Sequence, residues 1–489
     1  MTEITNVLAV PATGACHAAD LAALHDEPIP VADQYTTPAA APGFHAVRQV
    51  AEVVSVGLIL GDPSAQPPAG RAAAWGDCVT VGHPAQCGRD PVFRAADGLS
   101  TIRRTLVPVL LGRPITTFRE MAAEIDALTE ETRVPTPQKP SSQEEEPPAP
   151  PDLGDAVRGE KLSRRDLLSA PLRALRPEGS AGRRADRQRR SRPEYVTARR
   201  PIHSAVRYGV SQALLKAVAL SRGLTMAEVI LDEWDLTEPH RSVPIHAQSG
   251  RERRENADRM ILRRLDSLPD ALVEDVPLHL GREGEQLIRY LRWLTDRIDE
   301  LAGPDYRPTI HLDLHGALGR IYENNLGQIL GYLYRLESCV QPSTLRLESP
   351  VIMETRAAQI DAMRTLREYV SFQKMAVEIV ADEWVSTVED IQAFIDAEAA
   401  DMIHVKMPQL GSISNSVEAV LACREAGVAA LLGGSCTETD LAARAAAHVA
   451  LATQPDLLLA RPGPDVDTAV SSVQNEMTRT LALIQARGT

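Results

Sequence analysis

"MIHVKMPQLG", residues 402–411, is the stretch that decides the fold. Met402, Ile403 and Val405 read as a short buried strand, closed by Pro408 and Gly411. His404 and Lys406 interrupt it, and a lysine near the end of an apolar strand is costly to desolvate. Parallel barrels place polar, working side chains at the C-terminal ends of their strands.

The same rhythm extends outward in both directions. Short apolar runs ending in polar residues recur at "SVPIHAQS" (242–249), "RMILRRL" (259–265), "TIHLDLHG" (309–316), "TLRLESPV" (344–351), "AVEIVADEW" (376–384) and "VAALLGGS" (428–435). Most are followed by helical spacing, as in "SVEAVLACREAG" (416–427). Repeated strand–helix units predict a parallel sheet, and about seven or eight units suit a TIM-type barrel. The expected fold class is therefore α/β, with the barrel and a C-terminal helix over 241–489.

Upstream, residues 1–131 read as a mixed α+β segment. It has a strand at "EVVSVGLILGD" (52–62) and helical spacing in "FREMAAEIDALTEE" (118–131). Composition then changes. "RVPTPQKPSSQEEEPPAPPD" (133–152) is rich in Pro, Ser and Glu, as disordered linkers are. "GRRADRQRRSRPEYVTARR" (182–200) carries eight arginines against two acids. Residues 132–202 are thus expected to be a disordered, solvated insertion. Helical order returns over 203–240, where Thr225 and Glu228 form a capping-box signature.

Composition narrows the class. No run approaches the roughly 18–20 apolar residues needed to cross a membrane, and "MTEITNVLAV" shows no signal-peptide pattern. Six cysteines without a CxxC pair fit a reducing cytoplasm. A net charge of −14 argues against general nucleic-acid binding.

Three other strand ends carry single carboxylates: Asp313 in "IHLDLHG", Glu348 in "LRLESP" and Asp382 in "IVADEW". Hard oxygen ligands side by side at a barrel mouth suit Mg²⁺. Lys406 follows on the next strand. Beside a metal and partly buried, it is expected to have a depressed pKa and to act as a general base. The set suits proton abstraction next to a carboxylate, followed by elimination.

In these and further segments the sequence resembles the methylaspartate ammonia-lyase family of the enolase superfamily. The resemblance rests on "GFHAVRQVAEVVSVGLIL", "GRDPVF", "VRYGVSQALLKAVA", "AQSG", "VADEW", "VKMPQLGSISN" and "GGSCTETDLAARAAAHVALA". It covers most of 1–131 and 203–489. It implies an N-terminal α+β capping domain in two parts (1–131 and a helical 203–240), a modified barrel, a homodimer, and Mg²⁺ with K⁺ as a possible activator. The implied reaction is reversible loss of ammonia from 3-methylaspartate to give mesaconate. It also implies Asp313, Glu348 and Asp382 as metal ligands and Lys406 as the base. Gln248, Ser435 and Cys436 are implied to bind the carboxylate remote from the metal, and Leu459 to form a pocket wall.

Four positions depart from the family pattern. Asp270, in "LPDAL", stands where the family has a histidine base. His404 stands where it has a glutamine, and a protonated His404 could pair with Asp270. Gly82 replaces a glutamine of the amine pocket, and Pro464 replaces a methionine. His404 and Asp270 are read as substrate-facing groups; His83, His246 and His315 are read as loop or supporting groups. The alternatives are an epimerase or dehydratase of the same superfamily, and a non-catalytic adaptor using the Arg-rich insertion.

Overall fold

The structure, a computed structural model, describes residues 2–487 apart from 27–28, 42, 62–71, 136–194, 238, 240 and 461–464. Most of the expected disordered insertion, and Pro464, therefore lie outside the described residues.

The chain begins with three antiparallel strands, β1 (Glu3–Ala18), β2 (Arg48–Gly61) and β3 (Ala72–Cys78). On β2 the inward positions Val54, Val56, Leu58 and Leu60 are buried, the period-two pattern of a sheet with one face on a core. A long helix, Ser204–Arg222, packs on this sheet. Their approach is close: a Cβ at Gly76 would lie 2.1 Å from the Gly209 carbonyl oxygen. The next helix, Met226–Glu233, starts with the capping box of Thr225 and Glu228, whose two reciprocal hydrogen bonds are both formed.

Residues 131–200 form a unit of their own. β4 (Thr129–Pro135) and β5 (Tyr195–Pro201) pair as a two-stranded sheet. The helix expected over 118–131 therefore stops short, at Asp126.

Eight strands close into a barrel: β6 (Ile245–His246), β7 (Ser267–Asp270), β8 (Thr309–Asp313), β9 (Leu345–Glu348), β10 (Val377–Ala381), β11 (Met402–Lys406), β12 (Ala429–Gly433) and β13 (Leu457–Leu459). All eight neighbouring pairs are parallel. Helices follow the strands, ending in Val466–Arg487. No helix of the described residues is long and apolar enough to cross a membrane. Val380, Met402, Leu431, Leu457 and Leu459 form a small apolar cluster separate from the main core. They sit on the strand face that leads, two residues on, to the site.

One expected strand is corrected. "RMILRRL" belongs largely to the helix Arg253–Leu262, in which Ala257, Met260 and Ile261 are buried at helical spacing while Leu262 is 66% exposed. The strand in that slot is β7, and β13 supplies the eighth.

Candidate active site

Side chains on a strand alternate faces, so Met402, His404 and Lys406 of β11 project together. Val380 and Asp382, Leu431 and Gly433, and His311 and Asp313 share the same spacing on or just beyond their own strands. Apolar members fill the barrel and polar members reach its mouth. There they meet a cavity of about 550 Å³ lined by Gln248, Asp313, Glu348, His404, Lys406, Ser435, Cys436 and Leu459. The N-terminal elements supply more of its wall, among them Arg48, Gly82 and His83.

Glu348 is the centre of the polar floor. Its Oε1 lies 2.8 Å from His404 Nδ1 and its Oε2 3.0 Å from His311 Nε2. Burial opposes its charge, but the two histidines hold its carboxyl well below the usual range. Asp382, only 2% exposed, sits beside it, with Oδ1 3.8 Å from His404 Nδ1. One donor atom each from Glu348, Asp382 and His404 lies within 4.8 Å of the other two. Asp313 stands opposite Glu348 in the β8–β9 register and accepts a hydrogen bond from the His315 amide at 3.0 Å.

Lys406 donates to Asp382 Oδ2 at 2.5 Å. Burial works to lower its pKa, but the attraction of Asp382, with help from Glu348 and Glu383 and against Arg89, leaves it above that of an ordinary lysine. This runs opposite to the expected depression, because the ammonium has a carboxylate partner at hydrogen-bond distance.

Behind Asp382 lies a network that sequence reasoning missed. Arg89, from the "GRDP" segment, reaches 3.5 Å from Asp382 Oδ2 and 3.6 Å from Glu383 Oε1. Glu383 also receives His315 at 3.2 Å and the Ser349 hydroxyl. Burial opposes ionisation of Glu383, yet His315, Arg89 and Lys406 bring its pKa down to about 2. His315, Ser349 and Trp384 all have left-handed φ, at 43°, 45° and 65°, just after the strands that carry the acids. Non-glycine residues adopt such angles at a cost, and tight turns at functional sites are where they collect. His246 stacks on His311, ring centroids 4.4 Å apart.

On the opposite side, Ser435 Oγ lies 3.0 Å from Thr437 Oγ1 and 4.0 Å from Cys436 Sγ. A Cβ at Gly82 would approach both Ser435 and Cys436 within 4 Å, so this glycine borders the same subsite. Asp270 ends β7 beside Leu312 of β8. Its side chain lies outside the described residues, so of the expected His404–Asp270 pair only the histidine half is seen, bonded to Glu348.

The family model for the methylaspartate ammonia-lyase C-terminus matches residues 237–486, and that for the N-terminus matches 2–138 and 181–235. The chain belongs to the methylaspartate ammonia-lyase family. Methylaspartate ammonia-lyase 2 of Carboxydothermus hydrogenoformans is 37% identical over 447 residues, covering 91% of this chain and 90% of the relative. The enzyme of Haloarcula marismortui is 35% identical over 483 residues, covering 98% and 97%. Among solved structures, the Mg complex of β-methylaspartase from Clostridium tetanomorphum matches with a TM-score of 0.76 at 32% identity, covering 99% of this chain and 100% of that one. The Citrobacter amalonaticus methylaspartate ammonia lyase containing (2S,3S)-3-methylaspartic acid matches with a TM-score of 0.78 at 33% identity, over 99% and 100% of the two chains. The fold is shared more widely, for a muconate lactonizing enzyme from Pseudomonas fluorescens matches with a TM-score of 0.51 at 13% identity.

Proposed function

We propose that this protein is a Mg²⁺-dependent carbon–nitrogen lyase. It removes ammonia from 3-methylaspartate, or a related substituted aspartate, to give mesaconate or a similar unsaturated diacid. The observation that carries this reading is Lys406 at the floor of the cavity, in contact with Asp382 and beside Glu348.

Asp313, Glu348 and Asp382 would hold the ion. The donor set fits, since buried Asp382 Oδ1 has no hydrogen-bond partner among the described residues and oxygen ligands suit Mg²⁺. When bound, Mg²⁺ supplies positive charge against a substrate carboxylate that gains negative charge in the reaction. Lys406 first gives a proton to water, since the charged form is the one held beside Asp382. Its free amine then takes the C3 proton of the (2S,3S) substrate. The C3–H electron pair becomes the C2=C3 double bond, the C2–N bond breaks with its pair, and the ammonium group leaves as ammonia. Gln248, Ser435 and Cys436 bind the far carboxylate, and Leu459 walls the pocket. Asp270, where a histidine base would serve the other face, disfavours the 3-epimer.

Residues 1–131 and 203–240 form the cap in this proposal, and 241–489 the catalytic barrel. K⁺ is an activator, the cytoplasm is the location, and the assembly is a homodimer.

The test is direct. The protein is mixed with (2S,3S)-3-methylaspartate and Mg²⁺, and unsaturated diacid and ammonia are measured together. Equal amounts of both are expected. Solvent deuterium entering recovered substrate without ammonia would replace the lyase by an epimerase, and no change at all would overturn the reading.

A further inference from the structure

We propose that His404 is itself a metal ligand, so that a site that takes Mg²⁺ binds divalent ions with nitrogen affinity, such as Mn²⁺ or Co²⁺, more tightly still. The proposal rests on the metal-binding part of the function above and refines it.

Three observations carry it. First, position: the alternation of β11 turns His404 to the same face as Lys406, into the acidic floor. Its Nδ1 lies 2.8 Å from Glu348 Oε1 and 3.8 Å from Asp382 Oδ1. Donors sharing one ion at about 2.0–2.2 Å sit roughly 3–4 Å apart; the His404–Asp382 pair stands at that spacing, and all three donors lie within 4.8 Å of one another. Second, unmet demand: Asp382 Oδ1 is buried without a hydrogen-bond partner among the described residues. A buried carboxylate oxygen in that state is costly, and an ion between it and His404 Nδ1 satisfies it. Third, the ring is held. A Cβ at Gly433 would lie 2.9 Å from His404 Nε2, and Leu459 closes the same space, so the imidazole packs against bare backbone with little room to turn.

Imidazole changes what the site prefers. Mg²⁺ is bound almost entirely by oxygen, whereas affinity for nitrogen rises from Mn²⁺ through Co²⁺ along the divalent series. The competing role for His404 is a hydrogen bond to Glu348 with no contact to the ion, and the two roles differ in a spectroscopic signature.

The experiment loads chelator-treated, full-length protein with Mn²⁺ and measures electron spin echo modulation from directly bound ¹⁴N. Affinities for Mn²⁺, Co²⁺ and Mg²⁺ are measured by titration calorimetry alongside. Nitrogen coupling is expected in the wild type and in H311Q, and none in H404Q or H404N. Mn²⁺ should bind at least about tenfold more tightly than Mg²⁺, and that ratio should fall roughly tenfold in H404Q. Mn²⁺ bound without nitrogen coupling, or with coupling that survives in H404Q, overturns the proposal and leaves the lyase reading standing. Failure to bind any of the three ions overturns both.

Discussion

In the proposed reaction Lys406 is the residue on which the chemistry turns. K406Q keeps a polar side chain, one atom shorter, but cannot take a proton. Turnover of (2S,3S)-3-methylaspartate should fall by about 10³-fold or more, while calorimetric Mg²⁺ binding persists. Loss of both would mean that Lys406 holds the site together instead of acting in it. A second expectation concerns Asp270. With aspartate at the end of β7, the wild type should process the (2S,3S) substrate at least about tenfold faster than its 3-epimer; comparable initial rates would remove any role for this position in facial selection. Lys406 and the three acids were legible in the sequence because each ends an apolar run. His404 was legible only as a polar interruption. Its place among the acids follows from the two-residue period of β11, which puts it under Lys406, and the same offset below Asp313 marks His311. Arg89 had no comparable signal, since it comes from a loop far away in sequence and meets Asp382 only in the folded chain.

At the scale of elements, β3 and the helix Ser204–Arg222 approach so closely that Gly76 has no room for a side chain. G76A would drive a methyl group into the Gly209 carbonyl and the Ala213 amide. Overpacking against backbone, which cannot move aside as a side chain can, should cost about 1–3 kcal/mol in denaturant unfolding. An unchanged midpoint would show that the pair can separate freely. The C-terminal helix is fastened differently. His448 lies 3.3 Å from Glu476, which also pairs with Arg479. The hydrogen bond from His448, against the opposing effect of burial and with help from Arg479, brings the Glu476 pKa down to about 2 from an unfolded value near 4.5. A depressed carboxylate pKa stabilises the fold above the unfolded value, and the gain is lost as pH falls toward the folded one. Between about pH 4.5 and 2, then, E476Q should lose less thermal stability than the wild type; parallel curves would exclude the coupling. Strands β8 to β12 were readable because each holds four or five residues of apolar character with a polar end. The remaining cases show why pattern runs out: β7 is four residues with a proline inside, β13 is three leucines, and Met260 and Ile261 mimic a strand while lying on one side of a helix.

For the molecule as a whole, residues 139–180 fall outside both family matches. Their deletion should leave turnover within about twofold, because every residue assigned a chemical role lies elsewhere; a collapse in activity with folding intact would move the insertion into the catalytic apparatus. An ion bound only by the folded state should stabilise it by about 2.7 kcal/mol at a hundredfold excess over its dissociation constant. The melting temperature should therefore drop on treatment with chelator and recover with divalent ion, and no change in either direction would argue against the carboxylate floor as a metal site.

The N-terminal strands and the barrel loop after β12 fit each other at single positions. A Cβ at Gly14 would lie 2.3 Å from the Thr437 carbonyl oxygen. The Thr437 hydroxyl donates to the Thr80 carbonyl at 2.7 Å and the Thr439 hydroxyl to Asp77 at 2.6 Å. That loop begins with Ser435 and Cys436. Anyone exchanging the N-terminal strands for those of a relative would therefore have to transplant positions 14, 77 and 80 together with 435–439, as one cassette. Shuffling at the sequence junction near residue 240 alone would split a seam that also shapes the pocket.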